Sequence, residues 1–235
     1  MKIIKTRGKI RKIIDLSPTA REIWFELENE MEFQAGAFVN LFVEINGEKI
    51  RRSYSISSDP ENKKEISLTI RKKKGGFISN IFWQKTVKEM DFEIMGPLGK
   101  NTADKIKKEK VFLAGFGVGV SVIKAVLLEI LKFDYVKEIY ILTGSYNEEE
   151  ILYKDFFDEI KEKNTGKKIF DRFVLSNPKN ENYPFKGFIQ DNVDDLDFSN
   201  STIYICGQKI ACDSLEEKIK NSGTENIDFM IESFG

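Results

Sequence analysis

Hydrophobic residues in the first half of the chain occur in short runs that alternate with polar residues. The runs cover residues 10–14, 23–27, 38–45, 54–56, 66–70 and 92–95. Turn-forming pairs separate them, including Ser17-Pro18, Asp59-Pro60 and Gly96-Pro97. Short strands at this spacing are typical of a small antiparallel β-barrel or sandwich. The pattern also predicts one interrupting helix, over residues 77–86.

The pattern changes after a polar, lysine-rich stretch at residues 100–110. Strand patterns at 111–114, 139–142, 173–175, 203–206 and 229–231 then alternate with helical patterns at 120–131, 149–163 and 210–222. Apolar strands separated by helices predict a parallel sheet that is covered on both faces. We therefore predict an N-terminal antiparallel β-barrel domain, 1–100, followed by a Rossmann-like α/β domain, 101–235.

Composition removes several classes of chemistry. The chain has no histidine, which excludes Ser-His-Asp and Cys-His catalysis and histidine-ligated metals. Its two cysteines are too few for an iron–sulfur cluster or a cysteine-only zinc site, so we expect no metal. The net charge of −1 gives no reason to expect nucleic-acid binding. No stretch is apolar and long enough for a leader or a membrane span, so we expect a cytoplasmic protein.

The first candidate motif is Arg52-Ser53-Tyr54-Ser55, on a barrel strand. Alternation along a strand places Arg52 and Tyr54 on one face, where a guanidinium can grip a pyrophosphate while the phenol lies against a flat ring. Ser55 can donate a hydrogen bond from its hydroxyl or its backbone N–H. Taken alone, the motif is equally typical of an ordinary half-exposed strand.

Two further motifs are rich in glycine. Gly75-Gly76-Phe77-Ile78-Ser79 opens the predicted barrel helix, where free N–H groups can face an anion. Gly115-Phe116-Gly117-Val118-Gly119 connects a strand to a helix, the position at which parallel α/β sheets bind a dinucleotide phosphate. The next strand lacks the acidic residue that usually holds the ribose in Rossmann dehydrogenases, because no carboxylate occurs before Glu148.

The last two motifs end late strands. Cys206-Gly207-Gln208 follows an apolar run, so Cys206 would line the crevice at the carboxyl end of the sheet, although the motif by itself favours a buried core cysteine. The tail places Glu232 and Phe234 at a domain interface or on a simple edge strand.

In this order, the five motifs resemble those of the ferredoxin–NADP reductase superfamily of flavoenzymes, from about residue 34 to the last residues. The resemblance implies a flavin-binding barrel and a nicotinamide-binding α/β domain. It assigns residues to the flavin, to the nicotinamide dinucleotide and to the reacting centre. The flavin set is Arg52, Ser53, Tyr54, Ser55, Gly75, Gly76, Phe77, Ser79 and the covering aromatic Phe234. The nicotinamide set is Gly115, Gly117, Gly119, Cys206 and Gly207, and the catalytic set is Ser55, Cys206 and Glu232.

The chain departs from the family pattern at four positions. Phe116 replaces a glycine of the glycine turn, Val122 stands where the turn commonly ends in proline, and Gln208 stands where proline often follows Cys-Gly. These three departures fall in motifs assigned to the nicotinamide dinucleotide. The fourth is that Phe234 is followed by Gly235, so the aromatic is not terminal.

The implied activity is an NAD(P)H-dependent flavin oxidoreductase. Hydride would pass from NADH or NADPH, docked between the domains, to FAD, and electrons would leave for a ferredoxin, a flavodoxin or a similar carrier. FMN stays an alternative to FAD. The turn 144–147 carries no arginine or lysine, which favours NADH over NADPH. Two other functions stay open: an electron-transfer subunit of a larger redox complex, and a non-catalytic flavin- or nucleotide-binding module.

Overall fold

The computed structural model describes residues 1–45 and 47–234, with the side chains of Ile45 and Phe77 outside the described part. The chain divides into two compact units, Met1–Asp104 and Lys105–Gly235. Each unit is built around its own sheet.

The first unit is an antiparallel sheet that curls back on itself. Its strands are β1 (Ile4–Asp15), β2 (Ala20–Leu27), β3 (Phe38–Ile45), β4 (Glu48–Ser55), β5 (Glu65–Arg71) and β6 (Asp91–Leu98). They lie in the order β4-β3-β6-β1-β2-β5. A bridge between Ile56 and Leu68, and a bond from the Ser57 N–H to the Ser67 carbonyl, join the end of β4 to β5. The predicted antiparallel barrel is thus confirmed.

Alternation of polar and apolar residues explains how the barrel fills its interior. Ile23, Phe25 and Leu27 of β2 point inward and are buried. They join a core that includes Leu41, Ile66, Leu68, Phe82 and Phe92. Burial of such side chains contributes roughly 1.5–3 kcal/mol each, which stabilises the strands despite their polar outer faces.

The predicted helix over 77–86 is too long. Helix α1 covers only Phe77–Ile81, and a separate 3-10 turn covers Lys85–Glu89. Phe82 ends the helix because its ring is buried and stacks on Phe92 with centroids 5.5 Å apart. The Arg21 guanidinium donates a hydrogen bond to the Phe82 carbonyl at 2.8 Å. That carbonyl therefore bonds a side chain instead of the N–H of a further helical turn.

The second unit is a parallel five-stranded sheet with helices between the strands. The strands are β7 (Lys110–Phe116), β8 (Glu138–Ser145), β9 (Lys168–Leu175), β10 (Ser201–Gln208) and β11 (Asp228–Phe234). The helices are α2 (Val120–Ile130), α3 (Lys154–Lys163) and α4 (Lys209–Lys220). The order β11-β10-β7-β8-β9, with every pairing parallel, confirms the predicted Rossmann-like fold.

The strand order creates a switch point between β7 and β10. From β7 the chain moves to β8 and β9 on one side, and then returns to β10 and β11 on the other. In open α/β sheets, ligands bind at the carboxyl ends of the strands at such a point. The switch point therefore marks where the second unit should bind its ligand.

The predicted helix over 149–163 begins later than expected. Residues Glu148–Glu150 form a 3-10 turn, and Tyr153 adopts a left-handed conformation with φ of 60° just before α3. The Glu148 carboxylate accepts the backbone N–H groups of Lys179 and Asn180, both at 2.9 Å, which ties this turn to a neighbouring loop. In the part of the chain that the structure describes, no helix is both long and apolar enough to cross a membrane.

Candidate active site

Within the Arg52–Ser55 motif, the side chains of Arg52 and Tyr54 lie on the same side of β4. They pair in register with Leu41 and Val39 of β3. Tyr54 packs against the barrel core, and burial raises the pKa of its phenol to about 12, against the opposing effect of the nearby Arg52 charge. Arg52 is exposed, and no carboxylate within residues 1–45 and 47–234 pairs with it. Nη1 of Arg52 donates a hydrogen bond to the Arg51 carbonyl at 2.8 Å. A neutral phenol beside a guanidinium that lacks a carboxylate partner fits an aromatic ligand with an anionic tail.

The two serines of the motif alternate with Arg52 and Tyr54 along the strand. The Ser53 hydroxyl donates a hydrogen bond to Oδ1 of Asn40 at 2.7 Å, so its side chain already has a structural partner. Ser55 is half-buried opposite Phe38. The side chains of these serines therefore face away from the Arg52 and Tyr54 side of the strand.

The second barrel element is the cradle before α1. Gly75 has a φ of +71°, and a Cβ on Gly76 would lie 2.7 Å from Oγ of Ser79 and 2.8 Å from Cβ of Lys73. The backbone can make this approach only with glycine at residue 76. Ser79 accepts the Lys73 N–H at 3.3 Å, and the buried Oδ1 of Asn80 has no hydrogen-bond partner. Close backbone approach is a feature of a ligand cradle. Phe77 was also predicted to bind flavin, but its side chain lies outside the described part.

The glycine turn lies at the switch point, as predicted. Gly117–Gly119 form a 3-10 turn between β7 and α2. A Cβ on Gly119 would lie 2.2 Å from the Cys206 carbonyl oxygen, so this turn packs directly against the end of β10. Gly117 has a φ of +56° with open space around it, and Gly115 packs against the backbone of Val120. Glycine is therefore required here for contact at one position and for conformation at another.

Register brings Cys206 beside Glu232. Cys206 pairs with Gly115 of β7 on one side and with Glu232 of β11 on the other. Gly207 and Gln208 pair with Ser233 and with Phe234, whose ring is partly exposed at 39%. The predicted residues of the second unit thus converge on one edge of its sheet, around the switch point.

Burial determines the chemistry of the Cys206 thiol. Its side chain is fully buried, and this desolvation, with nearby Cys212 and Glu232, raises the thiol pKa well above its ordinary value of 9.0. Cys206 is therefore a neutral thiol at physiological pH, suited to packing within the protein and not to nucleophilic attack.

We predict that both cysteines resist alkylation in the native protein, since burial also raises the pKa of Cys212 to about 11. The Cys206 thiol has a higher pKa in the folded protein than in the unfolded chain. Its contribution to folding stability is therefore fully present below the unfolded-state pKa and is lost as pH rises through the folded-state pKa. Mass spectrometry after iodoacetamide treatment at about pH 8 should detect no adduct until denaturant is added. Rapid labelling of Cys206 in the folded protein would contradict this assignment.

A group of polar atoms that the sequence motifs did not identify lies at the end of β8. Thr143 Oγ1, Ser145 Oγ and Asn147 Oδ1 are buried and have no hydrogen-bond partner. Buried polar atoms are normally satisfied, so three such atoms in five residues leave hydrogen-bonding capacity at this strand end that the described chain does not use. The sequence feature that could have identified this group is the run Thr143-Gly144-Ser145-Tyr146-Asn147, directly after an apolar strand pattern. The glycine contacts and these atoms together fit a bound dinucleotide.

Comparison with known families agrees with this division of the chain. Residues 7–102 match the family described as Oxidoreductase FAD-binding domain, and residues 112–215 match Oxidoreductase NAD-binding domain.

Curated relatives include reductases. The reductase component of phenol 2-monooxygenase from Pseudomonas sp. (strain CF600) is 28% identical over 97% of this chain and 65% of its own length. Ferredoxin–NADP reductase B from Sorangium cellulosum (strain So ce56) is 30% identical over 60% of this chain and 58% of its own length. The chain thus spans about two thirds of the length of the first of these relatives, or slightly less.

A solved structure shares the fold. The cytochrome P450 reductase of Amycolatopsis superposes with a TM-score of 0.85 at 21% identity, covering 97% of this chain and 69% of that protein. With the two domain matches and the reductase relatives, this likeness shows that the chain belongs to the ferredoxin–NADP reductase superfamily.

Proposed function

We propose that this protein is a flavin-dependent NAD(P)H oxidoreductase that delivers electrons to a separate acceptor. The observation that carries the proposal is the convergence of the glycine turn, Cys206 and Glu232 at the switch point of a sheet in the second unit. A matched FAD-binding domain precedes it in the same chain. The reductase relatives support the same activity.

Within the first unit, we assign Arg52 to the flavin pyrophosphate and Tyr54 to the isoalloxazine face. Gly76 and Ser79 provide the backbone cradle for the phosphates. Within the second unit, Gly117 and Gly119 admit the nicotinamide dinucleotide, and we place its nicotinamide end over the end of β10, at Cys206 and Gly207. A bound flavin supplies the redox chemistry, because it accepts a hydride from nicotinamide and can release the electrons one at a time.

These residues act by positioning. The Glu232 carboxylate is fixed beside Cys206 by the pairing of β10 and β11, and the Cys206 carbonyl is fixed against Gly119. Holding the reactants in a reactive geometry is the main contribution that a protein makes to hydride transfer between two cofactors. No covalent intermediate with Cys206 is required, in agreement with its neutral thiol.

The decisive experiment is an absorption spectrum of the purified protein followed by anaerobic titration with reduced nicotinamide. We expect a flavin spectrum that bleaches on addition of NADH and recovers when an electron acceptor is supplied. A protein that is folded but takes up neither FAD nor FMN would refute the proposal. A protein that holds flavin but is reduced by neither NADH nor NADPH would instead be the non-catalytic binding module. Stable co-purification with an oxygenase or another redox protein would identify a subunit of a larger complex.

FAD fits the barrel better than FMN does. The unpaired Arg52 guanidinium and the Gly76 cradle are two separate elements that suit phosphate, and FAD has a pyrophosphate whereas FMN has a single phosphate. Chromatography of the flavin released by heat identifies which of the two was bound.

NADH fits the second unit better than NADPH does. Two cations lie near the end of β8, and both are already paired. Arg172 forms two bonds to Asp195, at 2.8 and 2.9 Å, and Lys179 pairs with Glu149. The unsatisfied Asn147 Oδ1 is an acceptor, which suits a ribose hydroxyl and repels a phosphate oxygen. The acidic turn Glu148–Glu150 further disfavours a 2′-phosphate.

We predict that Glu149→Gln improves the use of NADPH by roughly 3- to 10-fold, because it removes one negative charge and releases Lys179. The kcat/KM for NADH should change by less than about 2-fold, as is usual for an exposed substitution away from bound groups. Steady-state kinetics with both cofactors make the comparison. Glu159→Gln is the matched control, because it breaks a similar exposed pair with Lys163 on α3. An equal gain in NADPH use by the Glu149 and Glu159 variants would contradict the proposed effect of Glu149 on the 2′-phosphate.

The surface around α1 suits an acidic electron carrier, such as a ferredoxin or a flavodoxin. Residues 71–89 contain six lysines and arginines and a single carboxylate, Glu89. Lys72 and Arg21 lie over the half-buried Trp83 ring, at 5.9 and 4.9 Å from its centroid. A cationic surface around an aromatic ring favours a partner with carboxylates on its docking face.

We therefore predict that salt slows electron delivery to an acidic carrier by several-fold between about 0.05 and 0.5 M ionic strength. Reduction of the flavin by NADH should change much less. Lys72→Ala combined with Lys74→Ala should reproduce the effect at low salt, whereas Lys163→Ala on α3 should not. Stopped-flow traces of the two half-reactions separate these outcomes. Faster delivery at high salt would contradict the proposed partner.

A further inference from the structure

Phe116 is a large side chain with a glycine on each neighbouring strand, at the carboxyl edge of the second sheet. It ends β7, where it pairs with Gly144 of β8. A Cβ on Gly207 of β10 would lie 2.6 Å from the Cβ of Phe116, and a Cβ on Gly144 would lie 3.1 Å from its Cδ1. The glycines on both neighbouring strands therefore leave room for this ring.

The ring is only partly covered. Phe116 packs against the core that faces α4, yet it stays half-buried at the strand ends. Buried positions further down the same face are filled by Ala114 and Phe112. Phe116 thus forms the last layer of this core and presents a flat apolar surface at the edge where the glycine turn ends.

The ring also lies next to the end of β10. Gly207 lies against the Phe116 side chain on the α4 face of the sheet, and Gly119 packs against the Cys206 carbonyl. The Cys206 side chain alternates with Gly207 and, in register with Gly115, points to the opposite face, where α2 packs. A ligand group that lies over the end of β10 would therefore meet the Phe116 ring on the α4 face.

We propose that Phe116 is a positioning residue for the nicotinamide end of the dinucleotide. The inference rests on the proposed function and goes beyond it, because a glycine at this position, as in the family pattern, would leave the same edge open. The ring provides an aromatic wall that excludes water beside the end of β10 and restricts the orientation of a flat heteroaromatic ring. Aromatic contacts of this kind are directional as well as apolar.

The test compares two ligands that differ only in the nicotinamide end. NAD⁺ and ADP-ribose share the adenosine and the pyrophosphate, and calorimetry on the flavin-loaded protein measures the Kd of each. Phe116→Leu should weaken NAD⁺ by roughly 3- to 10-fold and leave ADP-ribose within about 2-fold. Phe116→Tyr, which keeps the ring, should restore NAD⁺ affinity. In kinetic measurements, Phe116→Leu should raise the KM for NADH and lower the rate of flavin reduction.

Controls separate positioning from folding. Gly207→Ala displaces the ring through its 2.6 Å contact and should cause the same selective loss. Phe170→Leu removes an exposed aromatic of β9 and should change neither ligand. Equal weakening of NAD⁺ and ADP-ribose by Phe116→Leu, or no weakening of either, would overturn the proposal. Failure of the unmodified protein to bind either ligand would instead overturn the proposed function.

Discussion

The Arg52→Ala variant is expected to lose most of its flavin during purification. The substitution removes a guanidinium that is exposed beside Tyr54 and has no carboxylate partner in the described chain. Hydrogen bonds to charged groups contribute about 1.5–3 kcal/mol each, so flavin affinity should fall by roughly 10- to 100-fold. Reconstitution of the flavin-free protein, followed by quenching of flavin fluorescence, measures the change directly.

Arg51→Ala is the matched control for this experiment. Arg51 is equally exposed and lies on the same strand, but it pairs with Phe42 and points to the opposite side from Arg52. Its removal changes the net charge by the same amount without touching the proposed phosphate contact. Equal loss of flavin from both variants would show that the charge of the surface matters and not the position of Arg52.

Replacing Gly119 by alanine should be the most damaging single substitution at the nucleotide edge. The new Cβ would lie 2.2 Å from the Cys206 carbonyl oxygen and 2.6 Å from the carbonyl carbon, and neither is a flexible side-chain end. The turn must move away from β10, which we expect to cost about 3 kcal/mol or more. Such a loss lowers the thermal midpoint by roughly 6 °C or more. Nicotinamide binding should fail with it, because the turn forms the crevice.

Two other glycines separate the cost of close packing from the cost of backbone conformation. Gly117 has open space around it but a φ of +56°, so Gly117→Ala should cost only about 1–2 kcal/mol of backbone strain. Gly166 has open space and no left-handed conformation, so Gly166→Ala should be nearly neutral. Calorimetric melting of the three variants gives the order directly. A Gly119 variant as stable as the Gly166 variant would refute the close packing against Cys206.

The barrel shows which elements hydropathy can predict. The predicted strand at 38–45 matches β3, whose apolar residues alternate toward the core. Strand β4 runs over Glu48–Ser55, whereas the pattern predicted only 54–56. Five of its eight residues are exposed and four of those are charged, and the strand is held by the backbone ladder to β3. Hydropathy reports burial, so it does not detect a strand stabilised mainly by backbone hydrogen bonds.

The candidate site likewise contains residues that the local sequence identified and residues that only the fold identified. Local sequence determined the glycine turns, because a positive φ or a close backbone approach requires glycine at particular positions along the chain. It also determined the alternation that places Arg52 and Tyr54 on one side of a strand. By contrast, Thr143, Ser145 and Asn147 carried no motif, and only the fold shows that their polar atoms are buried and unsatisfied.

The sequence by itself determined the two fold classes and the residues at each turn, since strand and helix periodicity and glycine conformation are local properties. Tertiary structure alone decided which residues meet. The pairing of Cys206 with Glu232, the contact of Gly119 with the Cys206 carbonyl, and the space that Gly144 and Gly207 leave for Phe116 depend on strand order and register. These are set by packing between segments far apart in the chain, and periodicity within one segment carries no information about them.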